Sequence, residues 1–376
     1  MKYFIIAGEA SGDLHGANLM QELKKLDTQA EFKFLGGDLM QAQGGTMVKH
    51  YRDMAFMGVV AVIANFQTVL RNIKDCKQNL TEYQPDVLIL IDYPGFNLRI
   101  AKFAKENFSL PVYYYISPKI WAWKEYRIKS IKKYIDKMFT ILPFETEYYK
   151  THNFEVNYVG NPSVDSVAFR PNKDESFEHF ITRNNLSSKP IVALLAGSRR
   201  QEIKGCLSKM LKMEALYPDY QFVVASAPGI EKSFYEKMMH GTKVHIVYGE
   251  TYDLLQQSYA AVVNSGTATL ETALFRVPQV VVYQIFGGIF ANILQEFLLK
   301  VKFVALVNLI ANKMLVKELI AFFFTEKSLK RELDKVIYDQ AYRQTLLDGY
   351  NQVIDTLGKP GAAKHTADKM YHFLNN

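Results

Sequence analysis

Short apolar runs alternate with longer amphipathic stretches along the chain, and this alternation occurs twice. Strands and helices in alternation predict a parallel β-sheet with helices on both faces. The run at 87–91 is apolar on both faces, as a central parallel strand requires. The first series predicts strands at Tyr3–Ala7, Phe32–Leu35, Val87–Ile91, Val112–Ile116 and Lys137–Leu142, with helices at Gly16–Leu26 and Phe66–Tyr83.

A stretch rich in proline, serine, asparagine and charged residues interrupts the pattern at 160–187 and indicates a linker. The second series then predicts strands at Ile191–Ala196, Phe222–Ala225, Val244–Val247, Ala260–Val263 and Val280–Tyr283. We therefore expect an α/β protein of two Rossmann-like domains, residues 1–165 and 166–344, that face a cleft. The helical tail, about 345–376, is expected to cross back to the first domain.

Composition narrows the class of protein. The length of 376 residues fits two domains of ~100 to 200 residues each. The N-terminal apolar run is too short for a signal peptide, and the two cysteines, Cys76 and Cys206, give no disulfide framework and no zinc spacing. We expect a cytoplasmic protein without a metal or other cofactor. The net charge of +7 suits nucleic acid, anionic lipid or phosphorylated substrates as partners, and equally an unremarkable basic enzyme.

Two loops that follow strands of the first series carry carboxylates. Gly8–Asp13, with the sequence GEASGD, lies where open α/β sheets bind ligands. Since Glu9 and Asp13 would repel a phosphate, this loop suits hydroxyl recognition or general-base chemistry. Asp92 follows the central apolar strand and is a second candidate base. Alternatively, Asp13 only caps a helix and Asp92 only caps a turn before Pro94.

Two loops of the second series suit a diphosphate. Gly197, Ser198 and Arg199 follow its first strand and open a helix, where backbone N–H groups and a guanidinium bind anions, although this pattern alone is weak. The stretch 264–271, NSGTATLE, again starts a helix with small residues. Its Glu271 suits the two hydroxyls of a ribose, or is a surface charge. Phosphate-type loops in one half and a carboxylate crevice in the other favour a nucleotide-sugar donor site facing an acceptor site.

Two segments suit a lipid surface. Trp121 and Trp123 precede a lysine-rich helix, which fits nucleic acid, lipid with phosphate, or a solvated basic face. Residues 277–295 carry no charge, but they contain polar residues and a glycine pair. We therefore expect a buried strand, a glycine turn and an amphipathic helix there rather than a membrane span. That helix, which presents Phe290 and Phe297, either packs inside or lies on a bilayer.

Ten motifs, in the same order across nearly the whole chain, resemble those of lipid-A-disaccharide synthases. They are GEASGD, GGDLMQAQG, MGVVAVI, IDYPGFN, YYISPKIWAW, LPFE, VGNP, LAGSR, NSGTATLE and LVNLIANK. The resemblance implies a GT-B fold and an inverting transfer of 2,3-diacylglucosamine from UDP-2,3-diacylglucosamine to 2,3-diacylglucosamine 1-phosphate (lipid X). The products would be a β-1,6-linked disaccharide 1-phosphate and UDP. It also implies peripheral association with the anionic inner face of the cytoplasmic membrane, without a tightly held metal. We expect no nucleic-acid partner, and a homodimer stays open.

The resemblance also implies roles for individual residues. Asp92 matches the carboxylate favoured as general base, with Glu9 orienting it or sharing the role, and which of the two is the base stays open. The acceptor-side loop is matched by Ser11, Gly12, Asp13 and Asn97, and the UDP side by Gly197, Ser198, Arg199, Ser265, Gly266, Thr267, Glu271 and Asn308. Contact with acyl chains or the membrane is expected of Met57, Phe66, Trp121, Trp123, Phe290 and Phe297.

The chain departs from the family's pattern at three positions. Ala196 stands for the proline before Gly-Ser-Arg, Gly95 for the second acid of the IDYPGFN motif, and Asn161 for the histidine before Pro162. Catalysis in this chain therefore does not depend on an acid at position 95.

Two other functions compete with this one. Another sugar-nucleotide enzyme of the same fold, such as a UDP-N-acetylglucosamine 2-epimerase or a lipid-linked muramyl transferase, would lack the pair IDYPGFN and SPKIWAW. A nucleic-acid-binding module would use Trp121, Trp123 and the lysine-rich helix, but it would leave the phosphate-type loops without a purpose.

Overall fold

The computed structural model describes residues 1–54, 66–284 and 302–376, and of Phe66 only the backbone. The described residues form two compact units. The first comprises residues 1–162 and 360–376, and the second comprises residues 163–359. Each unit is built on a parallel sheet with helices, so the predicted fold class of two Rossmann-like α/β domains is confirmed.

The first unit contains a seven-stranded sheet in the order β3-β2-β1-β4-β5-β6-β7, with all neighbours parallel. Its strands are β1 Lys2–Ala7, β2 Glu31–Gly36, β3 Thr46–His50, β4 Val87–Ile91, β5 Val112–Tyr115, β6 Lys137–Thr140 and β7 Asn157–Tyr158. Its helices are α1 Ala10–Leu26, α2 Asp38–Ala42, α3 Phe66–Tyr83, α4 Pro94–Asn107, α5 Ile128–Tyr134 and α6 Phe144–Thr151.

The second unit contains a six-stranded parallel sheet in the order β10-β9-β8-β11-β12-β13. Its strands are β8 Ile191–Leu195, β9 Gln221–Ala225, β10 His245–Val247, β11 Ser258–Asn264, β12 Gln279–Tyr283 and β13 Glu318–Ile320. The helices from the linker onward are α7 Pro162–Ala168, α8 Phe177–Arg183, α9 Arg200–Leu211, α10 Lys232–Met239, α11 Thr251–Gln256, α12 Thr267–Leu274, α13 Leu306–Ala311, α14 Glu326–Tyr338, α15 Gln340–Leu357 and α16 Ala362–Asn375. The last of these, α16, lies in the first unit against α1.

Alternate residues of the central strands supply two cores in the first unit, one on each face of the sheet. Phe4 and Leu88 belong to one core, and Ile5 and Ile89 to the other, because successive side chains of a strand point to opposite faces. Burial on both faces explains why β4 reads as an uninterrupted apolar run. The sheet is therefore a rigid platform for the loops at its carboxyl edge.

The structure differs from the sequence-based expectation in the start of α1, in the linker and in three short strands. Helix α1 begins at Ala10, inside the predicted loop 8–13, so the last residues of GEASGD form its first turn. The linker at 160–187 contains α7 and α8. The sequence also gave no sign of β3, β7 and β13, which are short strands on or next to a sheet edge.

Candidate active site

The four loops singled out in the sequence fall at the switch points of the two sheets. In the first unit, β2 and β3 lie on one side of β1, and β4 to β7 lie on the other. In the second unit, the strand order reverses in the same way between β8 and β11. Loops that leave neighbouring strands in opposite directions open a crevice there, which is where open α/β sheets bind ligands.

Register places the two carboxylate loops of the first unit side by side. Ala7 of β1 pairs with Ile91 of β4, so Gly8 and Asp92 are the next residues along two neighbouring strands. A Cβ atom on Gly8 would collide with the ring of Tyr93, so only glycine fits at this position. The two loops are therefore packed directly against each other.

The backbone at Asp92 is strained and held in place. Asp92 has a φ of 43° and Tyr93 a φ of 46°, left-handed values that cost ~1 to 3 kcal/mol per non-glycine residue. The Asp92 N–H donates to the Tyr115 carbonyl at 3.1 Å, and the Asp92 carbonyl accepts from the side chains of Asn97 and Tyr114. Strain of this kind persists where surrounding contacts over-determine it, and it is typical of functional sites.

The side chain of Asp92 is poised to accept a proton. Burial raises the pKa of this carboxyl, and the charge of Lys119 and the Tyr93 N–H oppose that rise. Burial and the charge of Glu9 also raise the pKa of the Tyr93 phenol, so Glu9 lies close to that ring. The structure therefore brings both candidate bases to the surroundings of Tyr93.

Asn97 has a positioning role. It is buried at the start of α4, and its carboxamide donates to the carbonyls of Ile91 at 3.2 Å and Asp92 at 2.7 Å. These bonds fix the end of β4. The sequence placed Asn97 among the acceptor-side residues, and in the structure it contacts the backbone that carries Asp92.

Asp13, which stays a predicted acceptor-side residue, is bound to the protein backbone in the structure. Its carboxylate accepts three backbone hydrogen bonds, from Gly37 at 2.7 Å, Leu39 at 3.1 Å and Met40 at 3.1 Å. These are N–H groups at the beginning of α2, so Asp13 caps that helix from inside α1. The capping alternative thus describes Asp13, although the capped helix is α2. Of its neighbours in the loop, Ser11 is exposed and Gly12 is buried.

His15 also lies at this edge, although no sequence motif indicated it. Its ring lies 6.5 Å from the ring of Tyr115, edge to face, and burial lowers its pKa to about 4. Ser11 and His15 are four residues apart in α1 and therefore share a helix face. A predicted start of α1 at Ala10, instead of at Gly16, would have indicated that His15 lies beside the loop.

The two tryptophans occupy different environments. The Trp121 indole donates to Glu145 at 3.1 Å and packs edge-on against Phe144, so this residue is tied into the protein. Trp123 is 47% exposed, with the Lys124 ammonium 4.1 Å from its ring centroid. Of the other residues expected to contact acyl chains, Met57, Phe290, Phe297 and the side chain of Phe66 lie outside the described residues.

In the second unit, Glu202 occupies the loop expected to bind diphosphate. Its carboxylate accepts from the N–H groups of Ser198 at 3.1 Å and Arg199 at 3.3 Å, and from the Arg199 guanidinium at 2.7 Å. A Cβ atom on Gly197, whose φ is 113°, would meet Glu202 and Asn264 at 2.8 Å. The carboxylate thus sits where the sequence predicted a diphosphate, whereas the Arg199 side chain is 64% exposed.

The donors of Ser265 are also engaged. Its N–H donates to the Val282 carbonyl and its hydroxyl to the Val304 carbonyl, both at 2.9 Å. Gly266 follows with a φ of 151° and open space around its Cα, and α12 begins at Thr267. The first N–H groups of a helix have no partner within the helix, so the start of α12 can receive an anion.

Glu271 lies inside α12 and is paired. The phenol of Tyr252 donates to its Oε1 at 3.0 Å. Burial raises the pKa of this carboxyl, and the Tyr252 hydrogen bond opposes the rise. No sequence motif indicated Tyr252, which belongs to the preceding helix α11.

Asn308, which stays a predicted UDP-side residue, is held by hydrogen bonds within the protein. The side chain is fully buried, donates to Val316 and Glu318, and accepts from the N–H groups of Leu315 and Val316 at 2.9 and 2.8 Å. Its carboxamide is therefore occupied by the loop that follows α13. The segment that precedes α13 lies near the nucleotide-type residues, because Val304 accepts from Ser265.

Within residues 1–54, 66–284 and 302–376, no helix combines the length and apolar character that crossing a bilayer takes. The same ranges contain no cluster of three histidine, cysteine, aspartate or glutamate side chains placed to hold a metal ion. The expectation that the protein uses no metal stays a prediction.

Two parallel sheets, each with its candidate ligand loops at a switch point, define the GT-B fold class. The structure of Methanocaldococcus jannaschii UDP-GlcNAc 2-epimerase in complex with UDP-GlcNAc and UDP aligns with a TM-score of 0.66 at 10% identity, over 99% of this chain and all of that one. The glycosyltransferase SnogD from Streptomyces nogalater aligns with a TM-score of 0.54 at 15% identity, over 99% of both chains. These likenesses establish the fold.

The chain belongs to the lipid-A-disaccharide synthase family. The family model described as lipid-A-disaccharide synthetase matches residues 3–367. The lipid-A-disaccharide synthase of Syntrophus aciditrophicus is 34% identical over 370 residues, which cover 96% of this chain and 95% of that protein. That of Myxococcus xanthus is 36% identical over 380 residues, covering 99% and 97%. The predicted class of enzyme, a glycosyltransferase of lipid A biosynthesis, is confirmed, and the same-fold epimerase alternative is set aside.

Proposed function

We propose that this enzyme transfers 2,3-diacylglucosamine from UDP-2,3-diacylglucosamine to the 6-hydroxyl of 2,3-diacylglucosamine 1-phosphate, with inversion. The products are a β-1,6-linked disaccharide 1-phosphate and UDP. The observation that carries the proposal is Asp92, a partly buried carboxyl held on strained backbone at the switch point of the first sheet, within a chain that matches the family over nearly its full length.

An inverting transfer needs a base, an in-line attack and stabilisation of the leaving group. Asp92 accepts the proton of the acceptor hydroxyl as its oxygen attacks the anomeric carbon of the donor. The bond between that carbon and the UDP oxygen breaks, and its electron pair leaves with UDP. Glu9 orients the hydroxyl or shares the role of base, since it lies close to the same tyrosine ring as Asp92.

The second unit holds the UDP. Its exposed Arg199 guanidinium and the beginning of α12 at Thr267 supply positive charge for the diphosphate, and Glu271 accepts from the ribose hydroxyls. As the resemblance implies, no metal takes part. Loss of one such charge-stabilising donor typically costs ~10²- to 10³-fold in rate.

The lipid substrates call for peripheral contact with the anionic inner face of the cytoplasmic membrane. Trp123 and Tyr126 are 47% and 68% exposed next to Lys124, and aromatic side chains beside lysine are typical of membrane interfaces. The net charge of +7 favours the same surface. A homodimer is compatible with this arrangement, and nothing in it calls for nucleic acid.

The test is to incubate the enzyme with both acylated substrates in anionic phospholipid vesicles and to detect products by mass. We expect a disaccharide 1-phosphate and stoichiometric UDP, and UDP release without a disaccharide would contradict the proposal. Sedimentation of the same vesicles tests the membrane contact. Trp123→Glu should leave more protein in the supernatant, and an unchanged pellet would exclude Trp123 from that contact.

A further inference from the structure

A partly buried hydrogen-bond chain connects the linker to the carboxylate that we assign to the ribose. The Tyr252 phenol donates to Oε1 of Glu271 at 3.0 Å, and the Ser166 side chain hydrogen-bonds to the same phenol. All three residues lie in the second unit, on the separate helices α7, α11 and α12. The phenol is the middle member of this chain.

Aromatic packing fixes the position of Tyr252. The centroid of its ring lies 5.5 Å from that of Phe275. The guanidinium of Arg170 lies 4.8 Å from the centroid of the Phe275 ring. Arg170 itself donates through Nε to Gln256, at the end of α11, at 3.0 Å. These contacts hold Tyr252 and the end of α11, so the Tyr252 phenol has a defined direction towards Glu271.

A carboxylate has two oxygens, and Tyr252 uses one of them. A donor fixed on Oε1 sets the rotation of the carboxylate and directs Oε2 towards the next partner. It also favours the charged form, which accepts but does not donate. A pair of vicinal hydroxyls, as in a ribose, offers the donors that such an oriented acceptor needs.

We propose that Tyr252 is a positioning residue for ribose recognition, which orients the Glu271 carboxylate so that the site selects ribonucleotides over deoxyribonucleotides. The proposal rests on the proposed function, because it takes Glu271 as the ribose contact. Tyr252 touches Glu271 and not the nucleotide. Its loss should therefore change affinity and selectivity for the ribose without changing the chemical step.

The experiment measures the Kd of UDP and of 2′-deoxy-UDP by calorimetry for the wild type, Tyr252→Phe and Glu271→Gln. Tyr248→Phe is the matched control, since that tyrosine packs against Lys232 instead. We expect Tyr252→Phe to weaken UDP binding about tenfold and to reduce the preference for UDP over 2′-deoxy-UDP by a similar factor, the effect of one hydrogen bond to a charged group. In turnover, the donor KM should rise and kcat should stay unchanged, while Tyr248→Phe should match the wild type in every measurement.

The outcomes separate the two proposals. If Glu271→Gln keeps the wild-type preference for UDP, Glu271 is not the ribose contact, and the donor site of the proposed function falls together with the role of Tyr252. If Glu271→Gln abolishes that preference while Tyr252→Phe preserves it, only the positioning role of Tyr252 is overturned. Equal weakening of both nucleotides in Tyr252→Phe gives the residue a merely structural role and overturns the proposal as well.

Discussion

The two switch points use carboxylates in opposite ways. At the first, burial raises the pKa of the Asp92 carboxyl, and the backbone that carries it is strained. At the second, the Glu202 carboxylate accepts two backbone N–H groups and a guanidinium from its own loop. Desolvation favours the neutral form of a carboxyl, which makes Asp92 easier to protonate than an exposed aspartate. Glu202 instead uses its oxygens for hydrogen bonds within its own loop.

The helices that follow the first strand of each sheet, α1 and α9, both carry an engaged carboxylate in their first turn. Asp13, in the first turn of α1, reaches across to the neighbouring loop and caps α2. Glu202, in the first turn of α9, folds back on the loop that precedes its own helix. The Asp13 carboxylate thus connects α1 to α2, whereas the Glu202 carboxylate occupies the loop after β8.

The largest expected effect is the loss of turnover when the candidate base at the first switch point, Asp92, is changed. Asp92→Asn should lower kcat by ~10²- to 10⁴-fold, the usual contribution of general-base catalysis, with little change in donor KM. The acid limb of the wild-type pH profile should lie above the usual pKa of an aspartate, because burial raises this one. Initial rates with both acylated substrates, from pH 4 to pH 9, provide the measurement.

Glu202→Gln is the matched change at the other switch point, and it should keep kcat within a few-fold of the wild type. Asp92→Asn with near-normal turnover would remove Asp92 from the role of base. Should Glu9→Gln then prove the slower variant, the base is Glu9, and the contrast between the two sheets holds with a different residue.

The second prediction concerns the pKa of Glu145, a buried carboxyl of the first unit, and its effect on the free energy of unfolding. Burial raises the pKa of this carboxyl from 4.5 to about 7, against the hydrogen bonds from Leu142, Ser117 and Trp121. The folded protein therefore binds a proton between pH 4.5 and 7 that the unfolded chain has lost. The free energy of unfolding should fall as pH rises through this window, by about 3 kcal/mol for this group, and Glu145→Gln should remove that slope.

Urea unfolding followed by tryptophan fluorescence measures the effect, since both tryptophans, Trp121 and Trp123, lie in the first unit. The quantity to compare is the difference in unfolding free energy between wild type and Glu145→Gln at pH 5 and at pH 8, which cancels the titration of other groups. A difference that is equal at both pH values would mean that the pKa of Glu145 stays near its usual value.

The sequence predicted the strands and helices of the two sheets better than the side-chain contacts at the edges of those sheets. The strand Val87–Ile91 and the helix Phe66–Tyr83 have the predicted bounds, because long apolar or periodic runs carry a strong signal. The strands β7 and β13, with two and three residues, are too short to show a period. The motif loops follow β1, β4, β8 and β11, and the observed strand order places these four strands at the two switch points.

Hydrogen-bond partners far apart in sequence stayed hidden. Asp13 caps a helix 24 to 27 residues away, and Glu145 accepts from Ser117 and Trp121, 28 and 24 residues earlier. Such pairs depend on how loops pack after the sheet has formed, and no local pattern encodes them. For this reason the sequence did not show that protein groups occupy the side chains of Asp13 and Asn308, and their ligand roles stay predictions.

The smallest expected effect is on the stability of the second unit, when the buried residue Asn308 is changed. Asn308→Ala removes a buried carboxamide that donates to Val316 and Glu318 and accepts from Leu315 and Val316. Because these partners are left without it, the second unit should lose about 2 kcal/mol of unfolding free energy. The Kd of UDP, measured by calorimetry well below the lowered Tm, should stay within about threefold of the wild type, since the carboxamide is occupied by protein groups. A normal Tm combined with a large loss of UDP affinity would return Asn308 to the nucleotide site, and the second switch point would then use its buried polar groups for ligands after all.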